Sequence, residues 1–97
     1  MTVTSKSRGA APPPRAVFAV TADRCPQVLC RLLGLFAQQD RMVEQVEARD
    51  TRQRLRVTLS VLDVDTHRAA IIADKMRQMI SVRTVKLVHG PAGNIPR

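Results

Sequence analysis

Residues 42–62 read MVEQVEARDTRQRLRVTLSVL, and this stretch decides the fold. In its second half, Leu55, Val57, Leu59 and Val61 alternate with Arg56, Thr58 and Ser60. That period of two predicts a half-buried strand over residues 54–62. Residues 42–49 predict another strand just before it. Only Asp50, Thr51, Arg52 and Gln53 separate the two, so they form an antiparallel hairpin. The link lacks an Asn-Gly pair, which leaves its turn type open.

Helical periodicity flanks the hairpin on both sides. Residues 27–39, QVLCRLLGLFAQQ, place Leu29, Leu32, Leu33 and Phe36 on one face, with Val28 and Leu35 beside them. Arg31 and Gln38 fall opposite. Gly34 is the only glycine between residues 15 and 88, and inside a helix it costs about 1 kcal/mol relative to Ala. It forms a stripe of small side chains with Cys30 and Ala37. Two readings stand: a tolerated cost, or close approach by another backbone. After the hairpin, Asp65 or Thr66 supplies an N-cap for a helix running to about residue 80. Its core face is Ala69, Ile72, Ala73, Met76, Met79 and Ile80. His67, Asp74 and Gln78 point away, and Ile71 is apolar on that outer side.

Two further strands, one at each end of the domain sequence, complete the pattern. Residues 16–22, AVFAVTA, are apolar on both faces, which suits a central strand. Pro26 fits the first turn of the helix that follows. Residues 82–88 form the last strand. The order is βαββαβ, which predicts an α+β, ferredoxin-like fold: a four-stranded antiparallel sheet with two helices on one face. The doubly apolar first strand calls for a cover on the other sheet face, hence a dimer or larger assembly.

Residues 1–14, with three consecutive prolines, and residues 89–97 read as tails around one domain over 15–88. No apolar run approaches the ~18 residues of a membrane span, and no secretory h-region precedes the domain. Two cysteines five apart are no disulfide framework, and the expected location is the cytoplasm. Net charge is +8, and within 15–88 thirteen Lys and Arg meet eight Asp and Glu. Arg49, Arg52, Arg54 and Arg56 cluster, yet the chain has two Phe and no Tyr or Trp for stacking on bases. This disfavours nucleic acid and leaves a solvated basic surface.

No nucleophile, base and orienting group assemble, and no phosphate-cradling glycine loop is present. His67, opening a helix, and His89, leaving the last strand, read as surface residues. Cys25 and Cys30 are spaced C-x-x-x-x-C, not the C-x-x-C that lets two thiolates converge on one ion, so no metal and no cofactor are expected.

Three stretches resemble a known family. Pro26-Gln-Val-Leu-Cys-Arg-Leu-Leu-Gly-Leu-Phe36 is similar to the P-G-V-L-x-R-x-x-G-L-F helix start of ACT domains, specifically those of the small regulatory subunit of acetolactate synthase. Val43-Glu44-Gln45-Val46 resembles the I-E-S-L strand of that family. Residues 76–87, MRQMISVRTVKL, resemble its L-x-K-L-I-x-V-x-x-V ending. The resemblance implies a ferredoxin-like ACT domain in a non-catalytic chain. Such a chain binds and activates a thiamine-diphosphate-dependent catalytic subunit of branched-chain amino-acid biosynthesis. It also implies an amino-acid effector at the loop between the first strand and helix, here Arg24, Cys25, Pro26, Gln27, Val28 and Leu29. The small stripe Cys30, Gly34 and Ala37 and the outward Ile71 are interface candidates by their own character, and the resemblance separately implies that chains pair.

Two positions depart from the family loop, Asn/Asp-x-Pro-Gly. Gln27 replaces the glycine that lets backbone N–H groups approach a carboxylate. Arg24 replaces the residue that would accept from an ammonium group, and a guanidinium only donates. On this reading valine feedback is doubtful and an anion without an ammonium suits Arg24 better. The alternative is an ACT module that senses a small ligand for another partner.

Overall fold

A computed structural model of the chain describes residues 14–91. The elements follow in the order β1 (Pro14–Ala22), α1 (Val28–Gln38), β2 (Val43–Asp50), β3 (Leu55–Leu62), α2 (Thr66–Arg77) and β4 (Val82–Pro91). The four strands make one antiparallel sheet in the order β2-β3-β1-β4. This is the predicted ferredoxin-like βαββαβ arrangement. Strands β3 and β1 are interior and β2 and β4 are the edges, so the apolar stretch of β1 lies inside the sheet as expected.

Alternation assigns the two sheet faces. Ala16, Phe18, Val20 and Ala22 of β1 and Val57, Leu59 and Val61 of β3 are buried under the helices. The helices contribute Val28, Leu32 and Phe36 from α1, and Ala69, Ile72, Ala73 and Met76 from α2. Phe18 and Phe36 meet edge to face, with ring centroids 5.3 Å apart and planes at 74°. That geometry suits the ring quadrupoles and ties β1 to α1.

Local chemistry sets the element ends. Asp65 caps α2, its carboxylate accepting from the Arg68 backbone N–H at 2.7 Å. Asp63, just upstream, takes φ 63°, a left-handed conformation that Asp tolerates better than most side chains. In the hairpin, Arg52 takes φ 74°, its N–H donating to Asp50 Oδ1 at 2.8 Å. Pro26 lies two residues ahead of the first helical position, Val28, and not in the first turn as expected. It occupies a turn in which Val28 N–H donates to Cys25 carbonyl at 3.1 Å, and Gln27 is the N-cap.

Two expectations for the C-terminal half are corrected. Helix α2 ends at Arg77, three residues early, and a turn closes with Val82 N–H donating to Met79 carbonyl. Met79 still packs against the core, but Ile80 faces outward and is 96% exposed. Strand β4 runs on to Pro91, so His89 lies within it and not beyond it. His89 sits opposite Ala16 on the helix side, with Nε2 2.6 Å from Val64 carbonyl and Nδ1 3.3 Å from Thr66 Oγ1. It is partly buried and pins β4 to the start of α2. The rest of the two expected tails, residues 1–13 and 92–97, lies outside the described residues.

Candidate functional site

The loop between β1 and α1 borders a pocket of about 410 Å³. Its lining is Arg24, Cys25, Pro26 and Leu29 from the loop and first helical turn, Asp50 from the end of β2, and Leu55 from the start of β3. The register brings these together: Ala22 pairs with Leu55, and Leu55 pairs with Asp50. The loop after Ala22 and the hairpin end therefore share one edge of the helix layer.

Arg24 and Asp50 form the polar rim. Arg24 Nε donates to Oδ1 and a terminal nitrogen donates to Oδ2, both at 2.9 Å. This fork-on-fork geometry is the strongest form of the contact, although both side chains are about half exposed. The Arg24 hydrogen bonds, and then the Arg52 backbone N–H, hold the Asp50 carboxyl below the usual range. A second fork joins Arg83 to Asp23, at 2.8 and 3.1 Å, and lowers the Asp23 carboxyl chiefly through its hydrogen bonds. The Asp23 backbone N–H also donates to Ser81 carbonyl at 2.7 Å, so the loop is tied to the entrance of β4.

Of the six loop residues expected at the site, four line the pocket and two do not. Val28 is buried in the core at 1% exposure. Gln27 is exposed, its side-chain oxygen accepting from Arg31 at 3.2 Å. Asp50 and Leu55 were not expected there, since both read as hairpin residues. Cys25 and Cys30 are free thiols; Cys25 lines the pocket and Cys30 is exposed on α1. Among the described residues, no group of three or more His, Cys, Asp or Glu gathers as a metal site.

The interface candidates lie on α1 and α2. Cys30 and Ala37 are exposed, and Gly34 and Ile71 are half-buried. A Cβ built on Gly34 would meet nothing within 4 Å, so within one chain no backbone approaches it closely.

The chemistry available is recognition. A guanidinium fork and a carboxylate stand at the mouth of a pocket whose walls, Leu29, Leu55 and Pro26, are apolar. Against protein-family models, residues 13–93 match the ACT-like domain.

The chain belongs to the ACT-like domain family.

ACT domains are regulatory rather than catalytic, and membership suggests a small-ligand regulatory role. Solved structures agree on the fold of this ACT-like domain. The ACT domain from GTP pyrophosphokinase of Chlorobium tepidum superimposes with a TM-score of 0.67 at 15% identity, covering 76% of this chain and 96% of that one. The C-terminal domain of the MgtC protein from Mycobacterium tuberculosis gives 0.70 at 10% identity, covering 95% and 100%. An uncharacterized Thermotoga maritima protein gives 0.60 at 11%, covering 80% and 95%. At these identities the likeness concerns the fold alone. No curated protein matches the chain in sequence. Among the described residues, no helix is long and apolar enough to cross a membrane.

Proposed function

We propose that this ACT-like domain is a non-catalytic regulatory subunit and that the Arg24–Asp50 pocket receives its effector, a small aliphatic α-amino acid. The observation that carries this reading is the pairing of Arg24 with Asp50 over an apolar floor. An amino acid needs donors for its carboxylate and an acceptor for its ammonium. Arg24 is the donor fork. Asp50 is the acceptor that the loop sequence lacks. Leu29 and Leu55 offer contact to a branched side chain. A ligand entering the rim exchanges one exposed ion pair for two, and exposed pairs hold together weakly, so opening costs little.

The partner proposed is the catalytic subunit of acetolactate synthase, the thiamine-diphosphate-dependent enzyme of branched-chain amino-acid biosynthesis. The motif over residues 26–36 and the strand and ending after it support this assignment. Cys30, Gly34, Ala37 and Ile71 are proposed contacts in a dimer or larger assembly, because they are small or apolar and incompletely covered. The experiment is to mix the chain with an acetolactate synthase catalytic subunit and follow elution volume and turnover. Co-elution with raised turnover supports the partner. Separate elution with unchanged turnover refutes it.

A second reading keeps the pocket and changes the partner. The superposition with an ACT domain belonging to a GTP pyrophosphokinase favours it, since ACT domains there accompany a different enzyme. Amino-acid binding without any effect on acetolactate synthase distinguishes this reading from the first.

A further inference from the structure

The sheet face turned away from the helices holds a second concavity. Directly opposed residues of antiparallel strands share a face. The registers therefore align Arg49, Arg56, Thr21 and Thr84 in one row across the sheet, and Glu47, Thr58, Ala19 and Lys86 in the next. The centre of these rows is short side chains, and Arg56 and Lys86 rise on either side of it. The result is a groove of about 350 Å³ lined by Ala19, Thr21, Arg56, Thr58, Thr84 and Lys86. Strands two apart in a sheet are separated by about 10 Å, room for a phosphate or diphosphate between the two cations.

Positive charge is in surplus in these two rows, where Arg49, Arg56 and Lys86 meet one acidic residue, Glu47. Arg49 stands directly opposite Arg56, an arrangement that costs stability in the absence of an anion. Arg15, Arg24, Arg77 and Arg83 form ion pairs, but Arg49, Arg56 and Lys86 form none among the described residues. Threonine hydroxyls and a guanidinium fork match the acceptor oxygens of a phosphate. Both phenylalanines are buried in the core, so the face has no stacking platform for the bases of a nucleic-acid strand.

We propose that this groove binds a small phosphate- or diphosphate-bearing molecule, with Arg56 and Lys86 gripping it from opposite sides and Thr21, Thr58 and Thr84 donating from the floor. The site lies across the sheet from the Arg24 pocket, so either can fail without the other.

The test is a two-dimensional amide NMR titration of the whole chain with inorganic pyrophosphate and with ADP at low salt. Sodium sulfate and a single-stranded RNA oligomer serve as comparisons. Saturable shifts centred on Thr21, Thr58, Thr84 and Lys86, weakening as salt rises, are expected. The double variant Arg56→Gln with Lys86→Gln should raise the dissociation constant about tenfold or more, while Arg54→Gln leaves it unchanged. Both altered side chains are exposed, and retained amide dispersion shows that the variant folds. Tighter binding of ADP than pyrophosphate assigns a nucleotide, and equal binding assigns a free phosphate compound; either supports the site. No saturable shift, an undiminished double variant, equal binding of sulfate, or tighter binding of RNA through the same residues overturns it.

Discussion

Arg24 and Asp50, 26 residues apart, hold each other through two parallel hydrogen bonds of 2.9 Å across the mouth of a pocket. The contact joins the β1–α1 loop to the hairpin end, and it converts a lone cation into a matched donor and acceptor. Replacing Asp50 by Asn keeps the shape and removes the charge. Amino-acid binding should weaken about tenfold, since a charged hydrogen bond is lost, while an α-keto acid should bind at least as well to the released Arg24. Calorimetry with valine and its keto acid checks this; equal losses for both would show that Asp50 does not meet an ammonium.

The same pair has a defined pH response. The folded Asp50 carboxyl is held below the ordinary value of about 3.9, so its stabilisation is fully present above about pH 5. It disappears as pH falls through the lowered folded value. Asp23 behaves alike because Arg83 depresses it. Carboxyl carbon shifts of both residues followed from pH 7 to pH 2 should show midpoints below the ordinary carboxylate value of about 3.9. The effect on overall stability is small, because both pairs are solvent-exposed.

The core prediction contrasts two apolar residues of similar sequence appearance. Phe36 is 1% exposed and meets Phe18, so Phe36→Ala should cost about 3–5 kcal/mol. Ile80 is 96% exposed, so Ile80→Gln should change stability by no more than about 0.5 kcal/mol. Urea unfolding of the two variants measures both. A large loss at Ile80 would mean that another chain covers it.

Gly34→Ala reads the small stripe of α1. Outside its own stretch of helix no atom lies within 4 Å of the added Cβ, so helix propensity acts and the isolated chain should gain about 1 kcal/mol. Thermal unfolding at several protein concentrations checks the sign. Destabilisation that appears only at high concentration would place a neighbouring chain against Gly34.

The sheet was legible because its signals are local. The alternation from Leu55 to Val61 and the four-residue link at Asp50 specify a hairpin without reference to anything distant. The Asp65 cap was legible for the same reason. The end of α2 was not: Met79 and Ile80 continue the helical period, but the chain turns at Gln78 to enter β4, and Ile80 swings out. His89 was misplaced because Gly90 and Pro91 look like an end, although an edge strand accommodates both.

The pocket was half legible. Arg24, Cys25, Pro26 and Leu29 are contiguous and follow a strand. Asp50 is remote in sequence and has a sufficient local role, accepting from Arg52 in the turn. Its second role follows only from strand order. Once β3 lies between β2 and β1, the register Asp50–Leu55–Ala22 puts the carboxylate beside the loop.

Calorimetric titration of valine, leucine and isoleucine into the whole chain, beside Arg24→Gln, decides whether the Arg24–Asp50 pocket receives an amino acid. Saturable one-to-one binding of at least one of them is expected, weakened about tenfold or more in Arg24→Gln as the carboxylate loses its fork. Absence of binding by all three, or binding unchanged by Arg24→Gln, would contradict it.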